Sequence, residues 1–468
     1  MSIPALSKPS SLPHLGWLGV IRLGLVQTAL GAIVVLTTST LNRVMVVELA
    51  LPAMLPGLLV ALHYALQITR PRWGHASDVG GRRTPWIIGG MAVLATGGSL
   101  AAMATALMET WFAGGLALAT AAFTLIGLGV GAAGTSLLVL LAKRVEPGRR
   151  AAAATIVWVM MIFGFIVTAG TAGHYLDPFS TERLVAVTTI VSVLAFLLSL
   201  VAVWGVEGAA TRVTHAAEAD QGIRPQLAFR EALAEVWDDP VARRFTIFVA
   251  LSMFAYSAQD LILEPYAGAI FGFTPGQSTK LAGVQHSGVL SGMILVALLS
   301  TGWRGWRLGS LASWTITGCL ASALALVAIA AGGLQPESWP LQSCVFALGL
   351  ANGAFAVAAI GSMMALAGQG RSGREGIRMG LWGAAQAIAF GAGGAVGAGA
   401  ADLVRLLTGS ALKGYTSVFL LEAALFVFAA LLAARIGNVK GAGAGRATEV
   451  RLGAIGENML EEAGKGAR

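Results

Sequence analysis

The chain has 468 residues, 56% of them hydrophobic and only 12% charged, with a mean hydropathy of +0.75. Soluble domains carry about a quarter charged residues, so the composition excludes an ordinary soluble protein and indicates an all-α integral membrane protein. The formal net charge of +8 lies in short connections between apolar runs, where it sets membrane orientation and builds no face for nucleic acid.

Residues 1–14 read as a polar cytoplasmic tail without a signal-peptide pattern. Apolar runs of roughly 20 residues, the length that crosses a bilayer, follow at 18–41, 52–69, 85–107, 113–142, 151–172 and 184–205. A polar connection over 206–244 separates them from a second set at 245–263, 281–301, 308–331, 341–366, 379–401 and 416–435. The expected organisation is a six-helix bundle over 15–205, a linker over 206–244, a second bundle over 245–436 and a flexible cytoplasmic tail over 437–468. Within the linker, Phe229, Leu233, Val236 and Trp237 recur at helical spacing, which predicts an amphipathic helix on the membrane surface.

Basic residues gather in the loops after even-numbered spans: Arg70, Arg72, Arg82 and Arg83, then Lys143, Arg144, Arg149 and Arg150, then Arg304 and Arg307, then Arg371, Arg374 and Arg378. By the positive-inside rule both termini are expected in the cytoplasm.

An internal repeat is visible. Gly127 and Gly131 match Gly349 and Gly353, Trp158 matches Trp382, and Glu48 after span 1 matches Glu264 after span 7. Glycines at Gly127, Gly129, Gly131 and Gly134, and again at Gly391, Gly393, Gly394, Gly397 and Gly399, make small faces for close helix packing.

Between spans 2 and 3, Gly74, Asp78, Gly81, Arg82 and Arg83 stand at fixed spacing. This loop resembles the signature G-x-x-x-D-x-x-G-R-R/K of the major facilitator superfamily, departing from it at Ala76 and Val79. The resemblance implies a major facilitator fold, with twelve transmembrane helices in two pseudo-repeated six-helix halves and the loop acting as a cytoplasmic gate. There Asp78 would face the start of span 11, and Arg82 and Arg83 would anchor to lipid phosphates or helix ends. The matching loop of the second half carries Trp306 where the acid would stand.

A second candidate site is a polar cluster at the opposite face. Asn42, Arg43 and Glu48 are expected after span 1, and Gln259, Asp260 and Glu264 at the end of span 7, with Arg43 pairing to Asp260 or Glu264 across the halves. With Glu48, Asp260 and Glu264 at span ends and Glu422 only a turn or two inside span 12, the interior reads as poor in the carboxylates a proton pump needs. His63 and His286, alone in apolar spans, are candidate axial ligands for a chelated pigment metal. Cys319 and Cys344 read as buried small residues, and no metal-binding spacing is present. No nucleophile elbow, P-loop or zinc-protease motif occurs, and Asp238-Asp239 stands without the partner motif that would hold magnesium diphosphate. An enzyme is not expected.

Two strings are more specific. Thr40-Leu41-Asn42-Arg43-Val44-Met45-Val46-Val47-Glu48-Leu49 and Ala258-Gln259-Asp260-Leu261-Ile262-Leu263-Glu264-Pro265-Tyr266-Ala267-Gly268 resemble the PucC/LhaA family of purple phototrophic bacteria. That resemblance implies an assembly factor for light-harvesting antenna complexes, handling bacteriochlorophyll as cargo or chaperoning antenna polypeptides. Its implied partners are membrane lipid, antenna light-harvesting polypeptides and a bacteriochlorophyll synthase. The alternative is a secondary transporter of a small amphipathic solute or pigment precursor.

Overall fold

The computed structural model describes residues 15–67, 82–146, 149–207, 237–301, 309–367 and 375–435. These residues form helices and no strand: α1 (Trp17–Glu48), α2 (Met54–Leu66), α3 (Thr84–Met108), α4 (Phe112–Arg144), α5 (Arg150–Tyr175), α6 (Thr181–Val203), α7 (Pro240–Phe271), α8 (Pro275–Thr301), α9 (Leu311–Gly332), α10 (Leu341–Ala367), α11 (Glu375–Thr408) and α12 (Ala411–Arg435). Eleven are long and apolar enough to cross a membrane, and α2 is a shorter apolar helix.

Two large apolar cores form. One is built almost wholly from residues between Val20 and Val206, the other from residues between Phe245 and Ala433. Three small clusters join them. Val35 and Leu36 meet Ala169, Ala172 and Ala282; Val46 and Ala53 meet Ala398; Ile162 meets Val289 and Met293. The halves therefore touch mainly along α5 against α8 and α2 against α11, with the end of α1 reaching α7 and α8. Lipid is as apolar as leucine, so such contacts depend on close packing and interhelical hydrogen bonds.

Glycine supplies the close packing. A β-carbon at Gly127 would strike the His63 backbone on α2, and one at Gly349 would strike Gln285 on α8. The repeat read from sequence thus sets His63 and Gln285 at corresponding places. On α11, Gly393, Gly394 and Gly397 meet Phe254, Leu261 and Ala258 of α7, and Gly391 meets Tyr64 of α2. That one helix serves both its own half and the other.

Several expected boundaries are corrected: α1 continues to Glu48 rather than 41, α7 runs from Pro240 to Phe271 rather than 245 to 263, α8 begins at Pro275 rather than 281, and α11 runs on to Thr408 rather than 401. Asp239 caps α7, its carboxylate accepting from the N–H groups of Val241 and Ala242 at 2.9 and 3.4 Å, and Pro240 occupies the first turn. The expected linker helix falls largely outside the described residues; of its stripe only Trp237 is described, and it is exposed.

Candidate functional site

The end of α1 is built differently from the rest of the bundle. Two π-helical turns, Leu36–Thr40 and Val44–Glu48, flank Leu41–Arg43. Such turns are rare and concentrate at functional positions. In the second, the N–H of Leu49 donates to the Val44 carbonyl at 3.0 Å. Residues five apart are thereby brought into line, and Arg43 forms its ion pair with Glu48.

This corrects the expected pairing of Arg43 with Asp260 or Glu264: the π turn offers a nearer carboxylate from the same segment. Arg43 still reaches the other half, because its second terminal nitrogen donates to the Phe273 carbonyl at 2.6 Å. The guanidinium lies against α7 at Gly268, where a β-carbon would stand 2.9 Å from Nη2. Beside it, Asn42 Nδ2 donates to the Leu261 carbonyl at 2.6 Å, and the Thr40 and Thr279 hydroxyls meet at 3.0 Å. At the same end, Asp402 on α11 accepts from the first N–H of α2, at Met54, at 2.8 Å.

The expected placement of Gln259 and Glu264 at the end of span 7 is likewise corrected. Glu264 and Gln259 lie inside α7, 2% and 0% exposed, and Glu422 lies inside α12 at 1%. The carboxylate oxygens of both glutamates and the amide of Gln259 have no hydrogen-bond partner among the described residues. Asp260 accepts from Gln285 Nε2 at 3.2 Å. The interior thus holds more carboxylates than the sequence reading allowed. Glu264 and Gly268 are one helical turn apart, which sets Glu264 beside the Arg43 guanidinium and within its electrostatic reach.

Along α7, Met253, Tyr256 and Asp260 share a half-buried stripe at helical spacing, while Ser252, Ala255, Ser257, Ala258 and Gln259 are buried. Rings meet across the halves at two separate contacts, α2 against α11 and α5 against α8. Tyr64 of α2 lies 5.5 Å from Phe390 of α11, which lies 5.8 Å from Tyr256. Phe165 of α5 meets His286 of α8 edge-on at 4.7 Å.

The two histidines differ. His286 Nδ1 stands 2.8 Å from the Ala282 carbonyl. A carbonyl only accepts, so Nδ1 carries the hydrogen and Nε2 of the neutral ring keeps its lone pair. His286 is half-buried at the seam. His63 is 2% exposed, and its Nε2 is 3.0 Å from Gln67 Nε2.

At the opposite end, Gly74, Asp78 and Gly81 lie outside the described residues, so the expected contact of Asp78 with α11 does too. Arg82 is exposed, whereas Arg83 is 5% exposed and packed at the start of α3. Its backbone N–H and that of Thr84 donate to the two carboxylate oxygens of Glu207, at 2.7 and 2.8 Å. Arg144 donates to the Glu207 carbonyl at 3.2 Å, and Arg22 donates to the carbonyls of Ala202, at 3.0 Å, and Trp204. Sequence reasoning missed Glu207 and Gln285. Each is a polar residue at or inside an apolar span, and that was the available signal.

On the outer surface, α2 and α4 frame an apolar groove of about 510 Å³ lined by Met54, Leu55, Leu58, Leu62, Leu116 and Thr120.

The family model described as PUCC protein matches residues 40–440. Over 439 residues the chain is 57% identical to the "Bacteriochlorophyll synthase 44.5 kDa chain" of Rhodobacter capsulatus, covering 94% of this chain and 99% of that one. It is 30% identical to "Protein PucC" of Rhodobacter capsulatus over 433 residues, 88% of this chain and 90% of that one. Among solved structures, a peptide transporter POT in complex with sulfate superposes with a TM-score of 0.65 at 13% identity, covering 92% and 97% of the two chains. The nucleoside transporter NupG gives 0.65 at 13% identity, covering 89% and 99%. At these identities the structural likeness establishes the fold, which is that of major facilitator transporters.

Proposed function

Because the chain belongs to the PUCC protein family, we propose that it is a non-enzymatic assembly factor for photosynthetic light-harvesting complexes, handling bacteriochlorophyll in the membrane. The observation that carries this reading is the 57% identity, over nearly the whole of both chains, to a protein whose name ties it to bacteriochlorophyll. Two features support it. The contacts between the halves offer flat ring surfaces, Tyr64, Phe390 and Tyr256 at one and Phe165 at the other, where His286 Nε2 is a donor of the type that ligates a chelated magnesium. The groove between α2 and α4 is apolar along its length and suits an isoprenoid chain. The word synthase in that name describes the relative, and this reading assigns its chemistry to a separate partner enzyme.

In this reading the end of the bundle bearing Arg22, Arg83, Arg144, Arg149 and Arg150 faces the cytoplasm of a photosynthetic membrane. Purification in mild detergent tests the proposal. Bound pigment in the absorption spectrum, or co-purifying antenna polypeptides or synthase, is the expected result; a colourless protein with neither partner overturns it.

A second reading, secondary transport of a small amphipathic solute, is favoured by one observation: Asp260, Glu264 and Glu422 gather inside the bundle, where ionisable residues usually mark function. It requires solute flux in proteoliposomes that falls in Glu264→Gln. Antenna assembly in a deletion strain complemented with the same variant separates the two, since the first reading expects assembly to be retained without flux.

A further inference from the structure

Pro265 lies inside α7. Proline has no N–H, so the carbonyl four residues earlier, that of Leu261, loses its usual donor within the helix. A bare carbonyl inside a membrane-spanning segment is costly. The missing donor is supplied from the other half of the molecule: Asn42 Nδ2 points at the Leu261 oxygen from 2.6 Å. Asn42 is itself 2% exposed, and Leu261 3%.

We infer that Asn42 and Pro265 form a latch in which a proline-made vacancy in the hydrogen-bonding of one half is filled by a side chain of the other, holding the bundle shut at the end where α1 terminates. The proline makes separation expensive, because parting the halves strands the Leu261 carbonyl and the Asn42 amide together. Arg43 reinforces the latch. It keeps Glu48 within its own segment and touches the second half through one bond, to Phe273. When the halves part, the ion pair travels with α1; of the guanidinium's hydrogen bonds only that to Phe273 breaks, together with its electrostatic contact to Glu264. The Thr40–Thr279 contact closes the same face. The arrangement has one strong internal pair and several single hydrogen bonds across the seam, which suits a contact that must open and reclose. It holds whatever the cargo, and so stands apart from the proposed function.

Thiol labelling tests it in the full chain, in lipid nanodiscs open to a water-soluble maleimide on both faces. Thr279→Cys, with Cys344 replaced by alanine, reports the latch; the native Cys319, 0% exposed in the second core, reports global loosening. Asn42→Leu should speed labelling at position 279 about fivefold to tenfold, the effect of one lost hydrogen bond on an opening equilibrium. Pro265→Ala restores an internal donor to the Leu261 carbonyl and should also speed it, by less. The double variant should be no faster than Asn42→Leu alone, because the two changes remove the same constraint. Gly268→Ala, which displaces the Arg43 guanidinium without removing a donor, should speed labelling and leave Cys319 protected. An unchanged rate in Asn42→Leu, or a double variant whose rate is the product of the single effects, overturns the latch. If Asn42→Leu exposes Cys319 as well, Gly268→Ala decides: no increase in its labelling rate overturns the proposal.

Discussion

The carboxylate of Glu207 closes on the N–H of Thr84 at 2.8 Å, capping the first turn of α3 from the far end of α6. The first N–H groups of a helix have no partner within it, and the α3 start has no side-chain cap of its own. Glu207 meets two of them, counting Arg83, and a carboxylate there also complements the helix dipole. Glu207→Ala should lower stability by about 1–3 kcal/mol, and Glu207→Gln, which keeps one acceptor, by less. Thermal unfolding of the purified protein in detergent reads both; a midpoint unmoved by Glu207→Ala would show that the cap contributes nothing.

The spans were legible because apolar runs of bilayer length have few alternative explanations, and the repeat was legible because glycine is needed wherever backbones touch. The ends of α1 and α7 were not. Asn42-Arg43 and Asp260 with Glu264 look like loop chemistry, since charge inside lipid is costly. The sequence does not display the π turn that lets Glu48 neutralise Arg43 locally, nor the packing that buries Glu264 inside α7. The expected cluster of Asn42, Arg43, Glu48, Gln259, Asp260 and Glu264 was placed at span ends with Arg43 paired across the halves, whereas the structure sets Asn42, Gln259 and Glu264 inside helices and pairs Arg43 with Glu48. Pro265 was visible in the chain; its consequence needed the partner across the seam.

The hydroxyl of Tyr266 donates to the Ile329 carbonyl at 2.8 Å, one of the last four carbonyls of α9, which lack partners within the helix. The ring is 0% exposed and packs edge-on against Phe419 at 5.0 Å and Tyr415 at 5.8 Å. Tyr266→Phe keeps the ring contacts and removes the hydrogen bond, so a loss of about 0.5–1.5 kcal/mol is expected. Tyr266→Ala should cost about 3–5 kcal/mol, as for other large core truncations. Equal losses in the two variants would show that the hydroxyl, not the ring, holds α7 to α9.

Two glycines should respond with opposite sign to the same substitution. At Gly393 a β-carbon would collide with the Phe254 carbonyl of α7, a backbone atom that cannot move without its helix. At Gly170 on α5 nothing lies within 4 Å. Gly393→Ala should destabilise by about 1–3 kcal/mol through overpacking. Gly170→Ala should stabilise by about 0.5–1 kcal/mol by restricting the unfolded chain. The pair is checked by unfolding midpoints in one detergent; stabilisation by Gly393→Ala would mean that α7 and α11 are less closely packed than described.

His286 and His63 differ in how far each meets the requirements of the proposed pigment ligation. His286 has its Nδ1 fixed by Ala282 and its Nε2 lone pair at the seam, while His63 is closed off against Gln67, Tyr64 and the Gly127 face of α4. An axial nitrogen must present a lone pair on an orientation held by its other nitrogen, which His286 does. His286→Ala should therefore lower the pigment absorbance per protein after mild purification, with little change in the unfolding midpoint. His63→Ala should lower the midpoint and leave the pigment ratio of the surviving folded fraction near that of the parent. Absorption spectra normalised to protein, with the midpoint measured on the same sample, distinguish the two. Full pigment retention in His286→Ala would remove this residue from cargo binding and shift attention to the lipid-facing groove beside Leu58 and Leu62.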